Sequence, residues 1–111
     1  MPNEKNPIVV LITTKDIAEA KKIADKLIKE KLAACVNIVE KVHSVYRWKG
    51  KICKESEALC IIKTVKRNFK ALEKKVKSMH SYTVPEVIGL PIETGSEKYL
   101  KWVFKETKRL V

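Results

Sequence analysis

The chain has 111 residues, of which 45% are apolar and 33% charged, and its net charge is +11. This composition is typical of a globular domain, and no apolar run approaches the ~20 residues that span a bilayer, which argues against a disordered chain or a membrane protein. At this length we expect one domain covering residues 1–111. Because the amino terminus lacks a secretory signal pattern, we expect a cytoplasmic protein whose three cysteines are reduced thiols.

The basic charge comes almost wholly from lysine, since Arg47, Arg67 and Arg109 are the only arginines. A charge of this size could attract nucleic acid or an anionic membrane. Proteins that read base sequence rely on arginine forks and stacking aromatics, whereas these lysines are spread through every helix-like segment. We therefore interpret them as a solvated surface and expect neither a specific nucleic acid nor a membrane as partner.

The first three elements follow from hydrophobic periodicity. The short apolar run IVVLI predicts a strand over Pro7–Thr14 that is buried on both faces. Asp16 can cap a following helix, whose apolar positions recur at spacings of three and four: Ile17, Ala20, Ile23, Ala24, Leu27 and Ile28. From Ala33 to Trp48 the period becomes two, which predicts a second strand. One side of it would carry Val36, Ile38, Val42, Tyr46 and Trp48.

A tight turn at Lys49–Lys51 leads into the next strand, because Gly50 can take the positive φ that a short hairpin requires. This third strand is predicted over Ile52–Thr64 and ends in the apolar run ALCII. A second helix is predicted between Arg67 and Ser81, where one face carries Phe69, Leu72, Val76 and Met79.

The last two elements are a strand over Val87–Ile92 and a helix. Pro91 indicates that the strand lies at a sheet edge, since proline cannot donate to a ladder of hydrogen bonds. The segment Thr94–Glu97 fits a capping box, and the helix behind it presents Tyr99, Leu100, Val103 and Phe104.

The order βαββαβ followed by a carboxy-terminal helix predicts an α+β, ferredoxin-like split βαβ fold with a long β2–β3 hairpin. Its two crossover helices cover one sheet face, yet the first and third strands are apolar on both, so we expect another subunit on the second face. The second strand would span about 50 Å, against a radius of gyration of about 13 Å for a domain of this length. The hairpin must therefore bend sharply or project towards a neighbour.

Four segments together resemble the CutA family: LAACVN at 32–37, YRWKGKI at 46–52, the stretch 57–64, and HSYTVPEVIGLPI at 80–92. The closing YLKW at 99–102 is also similar to that family. The resemblance implies a homotrimer built through the long hairpin. It also implies a role associated with tolerance of divalent metal ions, copper above all.

The resemblance further implies that Cys35 and His80 are metal ligands. Some members carry a cysteine where this chain has Ile12 and a second histidine where it has Met79. Because copper(I) accepts thioether sulfur as well as thiolate and imidazole, Cys35, Met79 and His80 are candidate copper ligands. The alternative is structural: a small buried thiol, a core methionine and a histidine at a helix end. We expect copper to be a possible ligand that folding does not require.

A second candidate site combines aromatic and charged residues at strand and turn ends: Trp48, Glu57, Lys63, Tyr82, Pro85 and Glu86. Such a group could line a cleft between subunits. Alternatively, Trp48 fills a groove of a neighbour and Glu57 pairs with Lys63 only to fix the trimer.

The sequence contains none of the motifs that mark common catalytic sites, and its two histidines lie far apart, so we expect no enzymatic activity. A different class of function is also compatible with the pattern. A trimeric signalling protein resembling the PII regulators would sense a small anionic ligand in clefts between subunits. Against that alternative, none of the three glycines lies in a phosphate-binding loop.

Overall fold

The computed structural model describes residues 6–109. Their elements follow the predicted order: β1 (Pro7–Thr14), α1 (Ile17–Lys29), β2 (Cys35–Trp48), β3 (Lys51–Val65), α2 (Phe69–Met79), β4 (Val87–Pro91) and α3 (Glu97–Glu106). A short 3-10 turn, Lys66–Asn68, joins β3 to α2. The extent of the domain over residues 1–111 stays a prediction, because residues 1–5 and 110–111 lie outside the described part.

The four strands form one antiparallel sheet in the order β2-β3-β1-β4. This order, with α1 and α2 as the crossovers, confirms the ferredoxin-like α+β fold. Because β4 lies at one edge, the position inferred from Pro91 is also confirmed. Within residues 6–109 no helix is both long enough and apolar enough to cross a bilayer.

Side-chain caps fix where two of the helices begin. The Asp16 carboxylate accepts the backbone N–H of Glu19 at 2.9 Å and starts α1, as predicted. The cap of α3 is Ser96, whose hydroxyl accepts the N–H of Tyr99. The expectation that Thr94 opens this helix was therefore wrong. Two serine or threonine candidates stood two residues apart, and the sequence offered no geometry to choose between them.

The main core lies between the sheet and the helices α1 and α2, on what we call the helical face of the sheet. Alternate residues of β1 and β3 point into it and are buried, as are the inner faces of both helices. The core includes Ile8, Val10, Ile12, Ala20, Ile23, Leu27, Ala58, Cys60, Ile62, Leu72 and Val76. Burial raises the pKa of the Cys60 thiol to about 11, so this cysteine is a packing residue.

The opposite side of the sheet, which we call the open face, also carries apolar side chains. The register places these in adjacent rows: Val9, Leu11, Val39, Leu59, Ile61, Ile88 and Leu90. Helix α3 contacts β1 and β3, and its Tyr99 side chain lies close to Cys35. It therefore covers only the end of this face near Cys35, and Ile88 and Leu90 remain 48% and 46% exposed.

A β-bulge in β2 changes which side chains share a face. Val39 is paired with Leu59 and Val42 with Glu57, so two residues of β2 stand opposite one residue of β3. Val36 and Ile38 consequently pack towards the helical face, whereas Tyr46 and Trp48 point to the open face. The prediction that all of these share one side was wrong, because period-two counting assumes an uninterrupted pleat.

The β2–β3 hairpin projects from the body of the subunit. β1 is paired with β3 only from Ala58 onwards, so the hairpin beyond this point is a two-stranded ribbon. The longest dimension of the subunit is 45 Å, against 26 and 23 Å for the others. A two-residue turn closes the ribbon, with Lys49 at φ 52° and Gly50 at φ 78°, as predicted for the glycine.

Buried Asn68 holds three elements together at the end of the sheet near Lys63. Its side-chain amide donates to the carbonyl oxygens of Lys31, behind α1, and Thr107, behind α3, both at 3.3 Å. The side chain is 3% exposed, so these carbonyls have little access to water as a substitute donor.

We predict that Asn68→Ala lowers the free energy of unfolding by about 2 kcal/mol, because it leaves buried carbonyls without a donor. Thr83→Ala, at an exposed loop position, serves as the control and should change it by less than about 0.5 kcal/mol. Urea denaturation at one fixed protein concentration measures both. Equal stability of the two variants would contradict a bridging role for Asn68.

Candidate functional site

The open face carries a cavity at the end away from α3, where the hairpin leaves the body. Its volume is about 640 Å³, and its walls come from β1, both arms of the hairpin and the loop after α2. The lining residues are Thr13, Ser44, Val45, Tyr46, Trp48, Glu55, Glu57, Ser81, Tyr82, Thr83, Val84 and Glu86. We call this the hairpin cavity.

The hairpin cavity is acidic, although the protein as a whole is strongly basic. Glu55, Glu57 and Glu86 line it, and none of the lysine, arginine or histidine residues within 6–109 does. Three aromatic side chains, Tyr46, Trp48 and Tyr82, complete the walls. Carboxylates next to aromatic faces favour cationic groups and disfavour anions.

Two tyrosine–glutamate hydrogen bonds order the walls. The Tyr82 hydroxyl donates to Glu57 Oε2 at 2.6 Å, and the Tyr46 hydroxyl donates to Glu55 Oε1 at 2.5 Å. Burial, together with the hydrogen bond to Glu57, raises the pKa of Tyr82 well above its usual range. The hydrogen bond to Glu55 raises the pKa of Tyr46 to about 12. Both phenols therefore stay neutral at neutral pH.

The loop that carries Tyr82 is fixed by His80 at the end of α2. His80 Nε2 lies 2.7 Å from the carbonyl oxygen of Thr13, and Nδ1 accepts the N–H of Tyr82 at 3.1 Å. These partners require a neutral ring with its proton on Nε2. Both ring nitrogens of His80 therefore take part in hydrogen bonds within the fold. This corresponds to the structural alternative named above, a histidine at a helix end.

A second contact ties the same loop to α1. The Glu19 carboxylate accepts the backbone N–H of Ser81 at 2.9 Å and its hydroxyl at 3.2 Å. Burial opposes ionisation of Glu19, but hydrogen bonds from Lys15 and Ser81 outweigh it and lower its pKa. The ionised form of Glu19 therefore holds the loop in place.

Four of the six predicted cleft residues line this cavity: Trp48, Glu57, Tyr82 and Glu86. Lys63 lies at the other end of the open face, where its ammonium group donates to Asn37. Pro85 belongs to the same loop but does not line the cavity. Within one subunit Glu57 is bonded to Tyr82 and not to Lys63, and whether the cavity lies between subunits stays a prediction.

The three candidate copper ligands do not meet within one subunit. Cys35 lies level with Val9 in the register of the sheet. Thr13, whose carbonyl oxygen contacts His80, lies about 13 Å further along β1, counted at ~3.3 Å per residue. Met79 packs against the core on the helical face. Among residues 6–109 no three His, Cys, Asp or Glu side chains are grouped as metal ligands. Copper binding by this set stays a prediction.

Sequence reasoning did not assign Tyr46 or Glu55 to the site. Tyr46 reaches it because the bulge turns its side of the outer half of β2 towards the open face, where Glu55 already points as an odd-numbered residue of β3. The only sequence signal of the bulge is the pair of adjacent charged residues Glu40 and Lys41, which interrupts the apolar alternation.

These features define a class of protein: a ferredoxin-like α+β subunit with a projecting hairpin, a partly uncovered sheet face and an acidic, aromatic cavity at the hairpin base. A family model described as CutA1 divalent ion tolerance protein matches residues 8–106. The chain belongs to this CutA1 divalent ion tolerance protein family, which confirms the resemblance seen in its motifs.

Individual relatives agree with this assignment. The chain is 46% identical over 99 residues to the divalent-cation tolerance protein CutA of Thermus thermophilus, covering 89% of this chain and 96% of the relative. It is 48% identical over 101 residues to the chloroplastic protein CutA of Arabidopsis thaliana, covering 91% of this chain but 56% of that longer relative. The chain thus spans little more than half the length of the plant protein.

Solved structures show the same fold. The CutA1 structure from Oryza sativa has a TM-score of 0.90 and 48% identity, covering 93% of this chain and 94% of that one. A periplasmic divalent cation tolerance protein CutA from Archaeoglobus fulgidus gives a TM-score of 0.89 and 38% identity, with coverages of 92% and 99%. Because these relatives are described as chloroplastic or periplasmic, the cytoplasmic location of this chain stays a prediction.

The raised tyrosine pKa values predict an alkaline loss of stability. A phenol whose pKa is higher in the folded state than in the unfolded chain stabilises the fold below about pH 10, and that stability is lost as the pH rises further. Tyrosinate absorbance at 295 nm should therefore rise well above pH 10. Glu57→Gln should move the Tyr82 transition to lower pH, whereas Glu93→Gln, outside the cavity, should not. Identical titration curves for the two variants would contradict the Glu57 assignment.

Proposed function

We propose that this chain works as a homotrimeric, non-enzymatic divalent-cation tolerance protein whose subunits join through the open face and the hairpin. The observation that carries this proposal is the projecting ribbon beyond Ala58, which pairs with no third strand among residues 6–109. An isolated two-stranded ribbon is marginally stable in water, so a partner must cover it.

The exposed side chains of the hairpin support the same assembly. Val45 and Ile52 are 67% and 64% exposed, and Trp48 at the tip is 46% exposed. Together with Ile88 and Leu90 on the open face, they form more exposed apolar surface than a lone soluble subunit usually carries. A cyclic arrangement, in which each hairpin packs against the next subunit, would leave no hairpin uncovered, and the family resemblance implies three copies.

The hairpin cavity lies where such a neighbour would approach, since both hairpin arms form part of its walls. We therefore propose that it becomes a cleft between subunits. Its carboxylates argue against the alternative of a PII-like sensor for an anionic ligand, because an anion would face Glu55, Glu57 and Glu86 without a compensating cation.

For copper, we propose modest binding centred on the Cys35 thiol, with no requirement for copper in folding. Cys35 is half-buried on the open face, so further ligands would come from a neighbouring subunit or from solvent. His80 contributes less than expected from sequence, because its ring nitrogens already bond Thr13 and Tyr82. Met79 is held in the core.

If folding and assembly are coupled, the melting temperature must rise with protein concentration. We expect such a rise across a hundredfold concentration series, measured by calorimetry under reversible conditions, and a trimer mass by light scattering. The double variant Val45→Ser/Ile52→Ser should shift the scattering mass towards the monomer. These side chains are mostly solvent-exposed within the subunit, so the far-ultraviolet circular dichroism should stay unchanged.

The matched control for assembly is Ile28→Ser, which also replaces an exposed apolar residue but lies on α1, on the far side of the subunit. This variant should retain the light-scattering mass of the parent, and its melting temperature should rise with protein concentration in the same way. A concentration-independent monomer for the parent protein, or an intact trimer for the hairpin variant, would contradict the proposed assembly.

Copper(I) binding is tested by calorimetry under reducing conditions. Cys35→Ala should weaken binding at least tenfold, because it removes the thiol. His80→Ala should change it by less than threefold, since that ring is already engaged in the fold. If Cys35→Ala binds as well as the parent, the proposed site is wrong, and Cys53→Ala then tests the half-buried hairpin thiol as an adventitious site.

A further inference from the structure

The lysines are not spread evenly over the folded subunit. The two segments that form the helical layer, residues 15–31 and 66–79, contain twelve basic and five acidic residues, a net charge of +7 out of the total +11. The hairpin cavity on the other side of the sheet is acidic. The helical layer thus carries most of the net charge, whereas the cavity behind it is acidic, which the sequence alone did not indicate.

Within the helical layer, two lysine rows run along the outer sides of α1 and α2. Both rows have the helical spacing of four and then three residues, and all their members are exposed: Lys22, Lys26 and Lys29 on α1, and Lys70, Lys74 and Lys77 on α2. Each row is about 10 Å long at 1.5 Å per residue, and packed helices lie about 8–10 Å apart. Glu30 bridges the two helices by contacting Lys26 and Lys75, which confirms that they are neighbours.

Most of these cations are uncompensated. Glu30 and Glu73 are the ion-pair partners that the structure shows for this layer, and they engage Lys26, Lys75 and Lys77. The other exposed cations form no ion pair with any of residues 6–109: Lys15, Lys21, Lys22, Lys29, Lys31, Lys66, Arg67, Lys70 and Lys74. Such a layer repels a second copy of itself and leaves a field that attracts a polyanion.

We propose that this helical layer binds the phosphate backbone of double-stranded DNA without sequence preference. The two rows stand on neighbouring helices, whose axes typically lie about 8–10 Å apart, so their long side chains can reach phosphates on both sides of a major groove about 12 Å wide. Lysine supplies point charges that neutralise phosphates and release counterions, with no dependence on base sequence. This agrees with the expectation that no specific nucleic acid is bound.

The chemistry of the layer favours a DNA duplex over other polyanions. Single strands are held by stacked aromatics, but both tryptophans and Tyr46 lie elsewhere, on the hairpin and α3. Duplex RNA has a deep, narrow major groove, which two rows on neighbouring helices match less well than the wide groove of DNA. An anionic membrane also attracts lysines, but interfacial helices add apolar residues that insert, and Ile28 is the only large apolar side chain strongly exposed on α1 or α2.

The test is fluorescence anisotropy of a labelled 20-base-pair duplex at salt concentrations from 50 to 200 mM. The parent protein should bind with a micromolar dissociation constant at 50 mM salt, and its affinity should fall steeply as salt increases. The variant Lys22→Gln/Lys70→Gln/Lys74→Gln should bind at least tenfold more weakly. Its log–log salt slope should be shallower by about 2–3, because each lost phosphate contact contributes about 0.9. None of these lysines has an ion-pair partner within residues 6–109.

The control removes the same charge from other parts of the chain: Lys41→Gln/Lys98→Gln/Lys105→Gln, all exposed on β2 and α3. The dissociation constant of this control variant for the duplex should stay within twofold of that of the parent. Equal weakening by both variants would show that net charge alone is responsible and would overturn the proposal. So would tighter binding of a single strand or an RNA duplex, or no binding at 50 mM salt. Light scattering of each variant confirms that its assembly matches that of the parent, so this test does not depend on the trimer.

Discussion

The hydrogen-bonding of β3 is the interaction on which the other features depend. β3 is paired with β2 nearly along its whole length, but with β1 only from Ala58 onwards. Its inner half therefore forms the middle of a four-stranded sheet, and its outer half becomes one arm of a ribbon. Beyond the point where the pairing with β1 stops, β1 no longer lies beside Glu57 and Glu55. The loop after α2 supplies Tyr82 as a hydrogen-bond partner for Glu57 instead. The cavity is thus a direct result of a strand that continues beyond its sheet.

Charge follows the same division between the two faces. The helices present lysine rows to solvent, while the ribbon and the loop present carboxylates and aromatics on the open face.

Hydrogen bonds from single side chains join separate elements of the fold. The side-chain amide of Asn68 donates to two chain segments, one behind α1 and one behind α3. The loop after α2 is held by hydrogen bonds from His80 and Glu19, which fix the position of Tyr82 in the cavity wall.

Most of the fold could be predicted from the sequence, because its elements carry strong local signals. The β-branched run of β1, the Asp16 cap and the glycine of the hairpin turn each indicate a local structure. Local signals failed where geometry depends on pairing. The bulge after Val39 is fixed by the partner strand, and it reversed the predicted direction of Tyr46 and Trp48.

The candidate site was predicted less completely, for related reasons. Trp48, Glu57, Tyr82 and Glu86 were selected as aromatic and charged residues at strand and turn ends, and the structure brings them to one cavity. The candidate copper ligands Cys35, Met79 and His80 came from comparison with the family motifs. Motif membership says nothing about distance across a sheet, and Cys35 lies two strands away from β1, whose Thr13 holds the His80 ring.

The β-bulge also determines how the length of this chain can vary in evolution. Loss of one residue at Glu40 or Lys41 would restore a continuous pleat and rotate the whole outer arm of β2 by half a turn, taking Tyr46 and Trp48 away from the cavity. Insertion of matched residue pairs near the tip would lengthen the ribbon and leave every inner side chain on its present face. Insertions and deletions should therefore be rare between Val39 and Val42 and better tolerated around Gly50, even though both regions are exposed.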